Sequence, residues 1–259
     1  MFSRSLILLM LLSLFSLQLL ASEEVPDEIT ILTAPEVKEQ LDGQTAQLIH
    51  VLSRIEYAIQ HIPGSINIPL DELSDSAKLP SDKTAGVVFY CNGEACPYSL
   101  LAAKKAIDLG YQQIYWFRGG ILEWRKFGYE MVVNRELMQA KVKKLNPEKF
   151  QQADTGNALI LDVRPKWWRK SNEQSGLIPG TDIMIPLLDL DELKQQLPKD
   201  RPILLVDRLM RQSIHAAKYL INHGYQVEGV LMGGSKRWVS EGLPVMPQNE
   251  EPDFTESVN

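Results

Sequence analysis

Two cysteines and four histidines are all that this 259-residue chain offers for disulfide or soft-metal chemistry. Two cysteines form at most one disulfide, which excludes a scaffold stapled by several bridges. His50, His61, His215 and His223 stand at no ligand spacing to each other or to the cysteines, so no metal centre is expected. A basic excess is missing as well. The formal net charge of −6 argues against nucleic acid as a partner. Long apolar runs are absent except for one, over residues 6–20.

That run follows Arg4 and ends at Ala21-Ser22, before Glu23-Glu24. It is short for a membrane span, and its small residues offer a cleavage point, so 1–21 reads as a secretory signal peptide. Removing it takes away one basic and no acidic residue, which leaves a more acidic chain with no stable membrane span. The expected compartment is the bacterial periplasm. The remaining length suits two domains of ordinary size.

An internal repeat divides that length. Ile62-Pro63-Gly64 recurs as Ile178-Pro179-Gly180, and the 29-residue step from Ile62 to Cys91 equals that from Ile178 to Asp207. Ser99-Leu100-Leu101-Ala102-Ala103-Lys104 recurs as Ser213-Ile214-His215-Ala216-Ala217-Lys218. Gly119-Gly120 with Trp124 recurs as Gly233-Gly234 with Trp238. The domains are placed at 28–130 and 147–246, with a linker over 131–146 and a polar tail over 247–259.

Within each repeat, short Val/Ile/Leu runs alternate with helix-period segments. Strands are predicted over 47–51, 86–90, 113–116, 158–163, 203–206 and 230–232. Helices are predicted over 35–41, 99–109, 121–127, 147–153, 212–223 and 235–241. Such alternation predicts an α/β class, each domain a parallel sheet flanked by helices.

Cys91 ends the apolar run 86–90 and opens the small-residue loop Asn92-Gly93-Glu94-Ala95-Cys96, with a helical stretch after it. A thiol at such a strand-to-helix turn faces loop N–H groups and the positive end of the helix dipole, which favours the thiolate. From these residues alone two readings stand: a nucleophile, or a small hydrophobe closing a buried strand. Cys96 is likewise either a packed residue or a resolving thiol. Lys166-Trp167-Trp168-Arg169-Lys170 reads as local packing or as a binding insert.

The surroundings of Cys91 resemble the rhodanese-like sulfurtransferases. Glu56-Tyr57, His61-Ile62-Pro63-Gly64-Ser65 and Asn67-Ile68-Pro69 lie upstream, and Gly119-Gly120 with Trp124 closes the segment; all are similar to that family's signatures. The resemblance implies two rhodanese-like domains and a sulfane sulfur carried on Cys91. It implies a persulfide held by N–H groups of Asn92, Gly93, Glu94, Ala95 and Cys96, a small sulfur donor and a thiol or protein acceptor as partners, and no cofactor. His61 then supports the turn of its own motif.

Three departures qualify what the resemblance implies. Asp207 stands where the second half would need a cysteine, so that half is expected to be inactive and to cover a face of the first. The first half has His50-Val51-Leu52 where the family often has Asp-Val-Arg, a triplet kept as Asp162-Val163-Arg164 in the second. A loop arginine common in the family is missing, since Cys96 and Pro97 occupy that part of the loop. Arg54 and Arg118 each read as a substitute or as a solvated surface residue, and small anionic donors such as thiosulfate are expected to bind weakly. The same gap, with Glu94 beside it, argues against a phosphatase. Two other readings stay open: a thiol or sulfur redox protein using Cys91 and Cys96, and a binding module without turnover.

Overall fold

The computed structural model describes residues 24–154, 156–165 and 176–246. The expected signal peptide, the insert at 166–170 and the tail lie outside the described residues.

The first half runs β1 (Ile29–Ile31), α1 (Ala34–Asp42), β2 (Ala46–His50), α2 (Arg54–Ile59), β3 (Gln60–His61), β4 (Ile66–Asn67), β5 (Gly86–Tyr90), α3 (Tyr98–Asp108), β6 (Gln113–Phe117), α4 (Gly120–Lys126), β7 (Val132–Val133) and α5 (Arg135–Gln139). The second half runs β8 (Lys144–Leu145), α6 (Pro147–Ala153), β9 (Leu159–Asp162), β10 (Thr181–Met184), α7 (Leu190–Leu193), β11 (Ile203–Val206), α8 (Gln212–Asn222), β12 (Val227–Leu231) and α9 (Gly234–Ser240). Each half builds a five-stranded parallel sheet, in the orders β1-β6-β5-β2-β4 and β8-β12-β11-β9-β10. Position by position the two orders are one topology, so the repeat in sequence is a repeat in fold.

The central strands are apolar along their whole length because both faces are covered. Along β5, Val87 and Phe89 pack with Leu100, Ala103 and Ala106 of α3, while Val88 and Tyr90 pack with Val37 of α1 and Trp124 of α4. Cys91 continues the α3 face. In the second half Leu205 faces α8 and Val206 faces Phe150 of α6 and Trp238 of α9.

The halves meet through α2. Ser53 and Glu56 cap it reciprocally, so the helix starts at Arg54. This presents Ile55 and Ile59 one turn apart, and both are buried with Leu161, Leu187, Ala217 and Leu220 of the second half. Two such side chains removed from water stabilise the contact by about 1.5–3 kcal/mol each. Arg54 adds an ion pair to Glu192, 3.8 Å away.

The segment read as a linker joins the two halves as short regular elements. β7 pairs with β3, Leu137 of α5 is buried in the interdomain core, and β8 forms the edge of the second sheet against β12. The short strands β1, β4, β8 and β10, of two to four residues, carry too few positions for a period to be read. Among the described residues no helix is long and apolar enough to cross a membrane.

Candidate active site

Cys91 follows β5 directly, and its loop is held at both ends by backbone geometry. At the start of α4 the N–H groups of Ile121 and Leu122 donate to the carbonyls of Cys91 and Asn92 at 3.1 and 3.0 Å. Gly120 permits this approach. Its φ is +52°, and a Cβ there would stand 2.2 Å from the Cys91 carbonyl oxygen. Gly234 does the same for the second loop, where a Cβ would stand 2.4 Å from the Asp207 carbonyl oxygen and Ser235 donates its N–H to that oxygen at 2.8 Å. The Gly-Gly pair in each repeat is therefore the docking point of the loop that follows the central strand.

The Cys91 side chain is 1% exposed. Burial alone would raise its thiol. Hydrogen bonds from the Cys96 thiol and the Ser99 hydroxyl, and from the N–H groups of Gly93 and Ser99, outweigh burial and hold it down at about 7. Ser99 Oγ lies 3.2 Å from Cys91 Sγ and accepts the indole N–H of Trp116 at 2.9 Å, which leaves its own proton for the sulfur. The neutral thiol has a partner too, the Cys96 carbonyl oxygen at 3.4 Å. Both protonation states are thus supported near neutral pH. Cys96 moves the other way: its bond to Cys91 and its burial push its thiol up, so of the two sulfurs Cys91 carries the negative charge. Both thiols are free.

The rest of the loop divides by exposure. Asn92 and Cys96 are half-buried, Glu94 and Ala95 are exposed, and Gly93 is buried against Leu122. The N–H of Cys96 is taken up by the carbonyl of Gly93 at 2.9 Å. Arg118 is exposed and lies 3.7 Å from Glu94, on the outer edge of the loop. Arg54 forks onto Glu72 at 2.7 Å. Ser99 and Trp116 were not read as site residues; the Ser99 and Ser213 equivalence in the repeat was the signal that could have found the first.

In the second half a carboxylate occupies the thiol's place. Asp207, 2% exposed, accepts the N–H groups of Met210, Arg211 and Gln212 at 2.6, 2.8 and 2.6 Å and the hydroxyl of Ser213 at 3.0 Å. Burial pushes its carboxyl up, opposed by these bonds. Each oxygen accepts two donors, and three of the four are backbone N–H groups, which cannot accept a carboxyl proton.

The two loops face each other across the domain boundary. A cavity of about 150 Å³ is lined by Asn92, Cys96 and Tyr98 on one side and Arg208, Arg211 and Gln212 on the other. It adjoins a cavity of about 270 Å³ with which it shares Leu52, Glu56, Tyr98, Pro165 and Gln212. Neither Arg118 nor Arg54 lines either cavity. Glu56, whose carboxylate accepts from Ser53 in the cap of α2, is pushed up by burial to about 7. Among the described residues no group of His, Cys, Asp or Glu could hold a metal ion.

His50 occupies the position of Asp162. It is fully buried between Tyr57 and Tyr90 with neither ring nitrogen hydrogen-bonded, and burial lowers it to about 3. Asp162 instead forms a buried ion pair with Arg164 at 2.6 Å, which Ser235 and the Gly176 carbonyl extend.

Comparison with known proteins agrees with this layout. A family model described as the rhodanese-like domain matches residues 33–127 and again 146–241. A sulfurtransferase of Allochromatium vinosum is 29% identical over 107 residues, 40% of this chain and 95% of its own length. The human thiosulfate:glutathione sulfurtransferase is 32% identical over 103 residues, 35% of this chain and 88% of its own. The HTH-type transcriptional regulator Rv0324 of Mycobacterium tuberculosis is 36% identical over 98 residues, 38% of this chain, but the match spans only 42% of the regulator. The crystal structure of a thiosulfate sulfurtransferase from Pseudomonas aeruginosa aligns over 86% of this chain and 44% of its own, at 21% identity and a TM-score of 0.39. With both halves matched and both sheets built on one strand order, the chain belongs to the rhodanese-like family, as a tandem of two such domains.

Proposed function

We propose that this protein is a sulfurtransferase that carries sulfane sulfur on Cys91. The observation that carries this reading is the Cys91 thiol, lowered to about 7 inside a loop whose far side opens on the interdomain cleft. At neutral pH about half of such a thiol is thiolate, against about 1% for one near 9. The thiolate attacks the outer sulfur of a donor; a Cys91 S–S bond forms, the donor's S–S bond breaks, and the electron pair leaves with the first product. A thiophilic acceptor then removes the outer sulfur. The names of the Allochromatium and human relatives point the same way.

In this reading the second half does no sulfur chemistry, because Asp207 has no sulfur to accept a transferred atom and is already held by four donors. The protein acts outside the cytoplasm, on the strength of the apolar run and small residues before Glu23. A second reading, a redox pair of Cys91 and Cys96, draws on the hydrogen bond between the two thiols.

Cys91→Ser tests the assignment. Transfer from thiosulfate or polysulfide to cyanide should fall by about a thousandfold or more, with an unchanged far-UV spectrum. Intact mass after donor treatment separates the readings: one added sulfur supports the sulfurtransferase, and loss of two hydrogens without added sulfur supports the redox pair. Transfer retained in the variant would overturn the role of Cys91.

A further inference from the structure

We propose that Cys96 discharges the persulfide formed on Cys91: its sulfur attacks the inner sulfur of that persulfide, hydrosulfide leaves, and a disulfide between Cys91 and Cys96 remains for a dithiol reductant to reopen. This rests on the sulfurtransferase reading and adds a second reaction to it, the reduction of sulfane sulfur to sulfide, with a dithiol as the class of partner.

The two thiols differ in what they face. Cys91 is 1% exposed and lines neither cavity at the domain boundary, while Cys96 is half-buried and lines the cavity of about 150 Å³. The loop fixes Cys96 from both sides. Its N–H donates to the Gly93 carbonyl at 2.9 Å, and Pro97 follows it as the residue before α3. Gly93 is itself held close, since a Cβ there would stand 3.1 Å from Leu122 Cδ1 and 3.2 Å from the Gly119 carbonyl oxygen. This turn folds Cys96 back on its neighbour: its carbonyl oxygen lies 3.4 Å from Cys91 Sγ, and its thiol hydrogen-bonds to that sulfur. The shorter second loop, from Asp207 to Ser213, contains no thiol.

That contact sets the order of events. While Cys91 is a thiolate it holds the Cys96 proton, so Cys96 stays a thiol and does not compete for the donor. Once Cys91 carries a second sulfur, its inner Sγ has no charge to hold that proton, and Cys96 is left touching the atom it attacks.

The step balances without a further reactant. A bond forms between the two Sγ atoms, and the bond from Cys91 Sγ to the outer sulfur breaks. The outer sulfur, already an anion, leaves as hydrosulfide with the bonding pair and the Cys96 proton. The sulfane sulfur gains two electrons, and the two cysteine sulfurs supply one each. A dithiol then reopens the disulfide by exchange and is itself oxidised. A disulfide between cysteines so close in sequence closes a short loop, which gains little from chain entropy, so it is suited to form and reopen in turn.

In the test the full-length chain, reduced and then freed of reductant, is loaded with excess thiosulfate and desalted. Intact mass and sulfide release are followed with no acceptor present. In the wild type one added sulfur should appear first and give way to loss of two hydrogens, with about one sulfide released per chain and a bridged loop peptide. That order in time separates the step from a redox pair that never holds sulfur. Cys96→Ser, whose hydroxyl can still donate to Cys91, should stop at the added sulfur and release sulfide at least about tenfold more slowly. Cys96→Ala should do the same, and thermal melts check that both variants are folded. Sulfide released equally fast by all three proteins, a wild-type persulfide as lasting as that of Cys96→Ser, or the added sulfur recovered on Cys96 would overturn the inference and leave the sulfurtransferase reading standing. If neither wild type nor variants take up sulfur, that reading falls and the inference with it.

Discussion

The loops after β5 and β11 leave equivalent strands, dock on equivalent Gly-Gly turns and end at equivalent serines, yet each settles an anion differently. The Asp207 loop reaches its serine in six residues and closes three N–H groups and a hydroxyl on a fixed carboxylate. The Cys91 loop takes eight, and the two extra residues bring in Cys96, whose N–H turns onto the Gly93 carbonyl. A short loop makes a filled nest. A longer one leaves the sulfur with a hydroxyl, a second thiol and two N–H groups, enough to hold it near half-ionised. The difference in charge is modest, but the difference in commitment is large, since only the thiol can take on and release another atom.

The strands beside these loops differ in the same sense. The second half buries a complete ion pair, Asp162 with Arg164, and the first buries a neutral His50 without a hydrogen bond. Asp162 and Arg164 support their surroundings through directed side-chain bonds, whereas the His50 ring packs against those of Tyr57 and Tyr90.

The sharpest way to break the loop comparison is to remove the internal anion. Asp207→Ala strands three part-buried N–H groups and a buried hydroxyl and should cost about 2–4 kcal/mol, a fall in Tm on the order of 10 °C. Cys91→Ser, at the matching position, should move Tm by less than about 3 °C. Asp207→Asn keeps the shape but, with its NH2 at the Oδ1 place, opposes the Met210 N–H while the Ser213 hydroxyl turns to accept, so it should lose less than alanine but still lose. An asparagine variant as stable as wild type would show that Asp207 is protonated and the nest carries no anion.

The next effect separates His50 from Asp162. Its ordinary value near 6.5 falls to about 3 on folding. Between those values the unfolded chain binds a proton that the folded chain does not, so stability drops as pH falls, by up to about 1.4 kcal/mol per unit. His50→Leu removes that slope and should gain about 2 kcal/mol on wild type between pH 6.5 and 5, followed by urea melts. His215, lowered by burial to about 4, and Glu56, raised to about 7, titrate in both proteins and cancel in the difference. Parallel curves would mean that His50 reaches water or a partner.

Much of this was legible before the fold was known because the repeat doubles every signal. Cys91 and Asp207 share a 29-residue step from Ile-Pro-Gly, and the Gly-Gly pairs mark both docking turns. What stayed hidden depends on which surfaces meet. Ile55 and Ile59 sit in a six-residue helix, too short to show a face, and only their burial against α8 reveals the interface. That contact is what sets Arg208 and Arg211 opposite Cys96, 112 and 115 positions along the chain. Arg118 illustrates the converse, close to the Gly-Gly turn in sequence yet outside both cavities.

The smallest expected effect isolates the serine that both loops share. Ser99 donates to Cys91 Sγ while the Trp116 indole occupies its oxygen, so Ser99→Ala should remove one of the bonds that oppose burial and raise the Cys91 thiol. Iodoacetamide should then alkylate Cys91 several-fold more slowly at pH 6.5 and at the wild-type rate above pH 10, where Cys91 is ionised in both proteins. A purely structural loss would lower the rate at every pH. Because the variant also strands the buried indole N–H, Trp116→Phe in the Ser99→Ala background is the control, and it should keep the shifted profile. Ser213→Ala, at the equivalent place in the second half, should leave the Cys91 profile where it was. If Ser99→Ala leaves it there too, the low value of the thiol comes from Cys96 and the loop N–H groups, and the two serines are alike only in position.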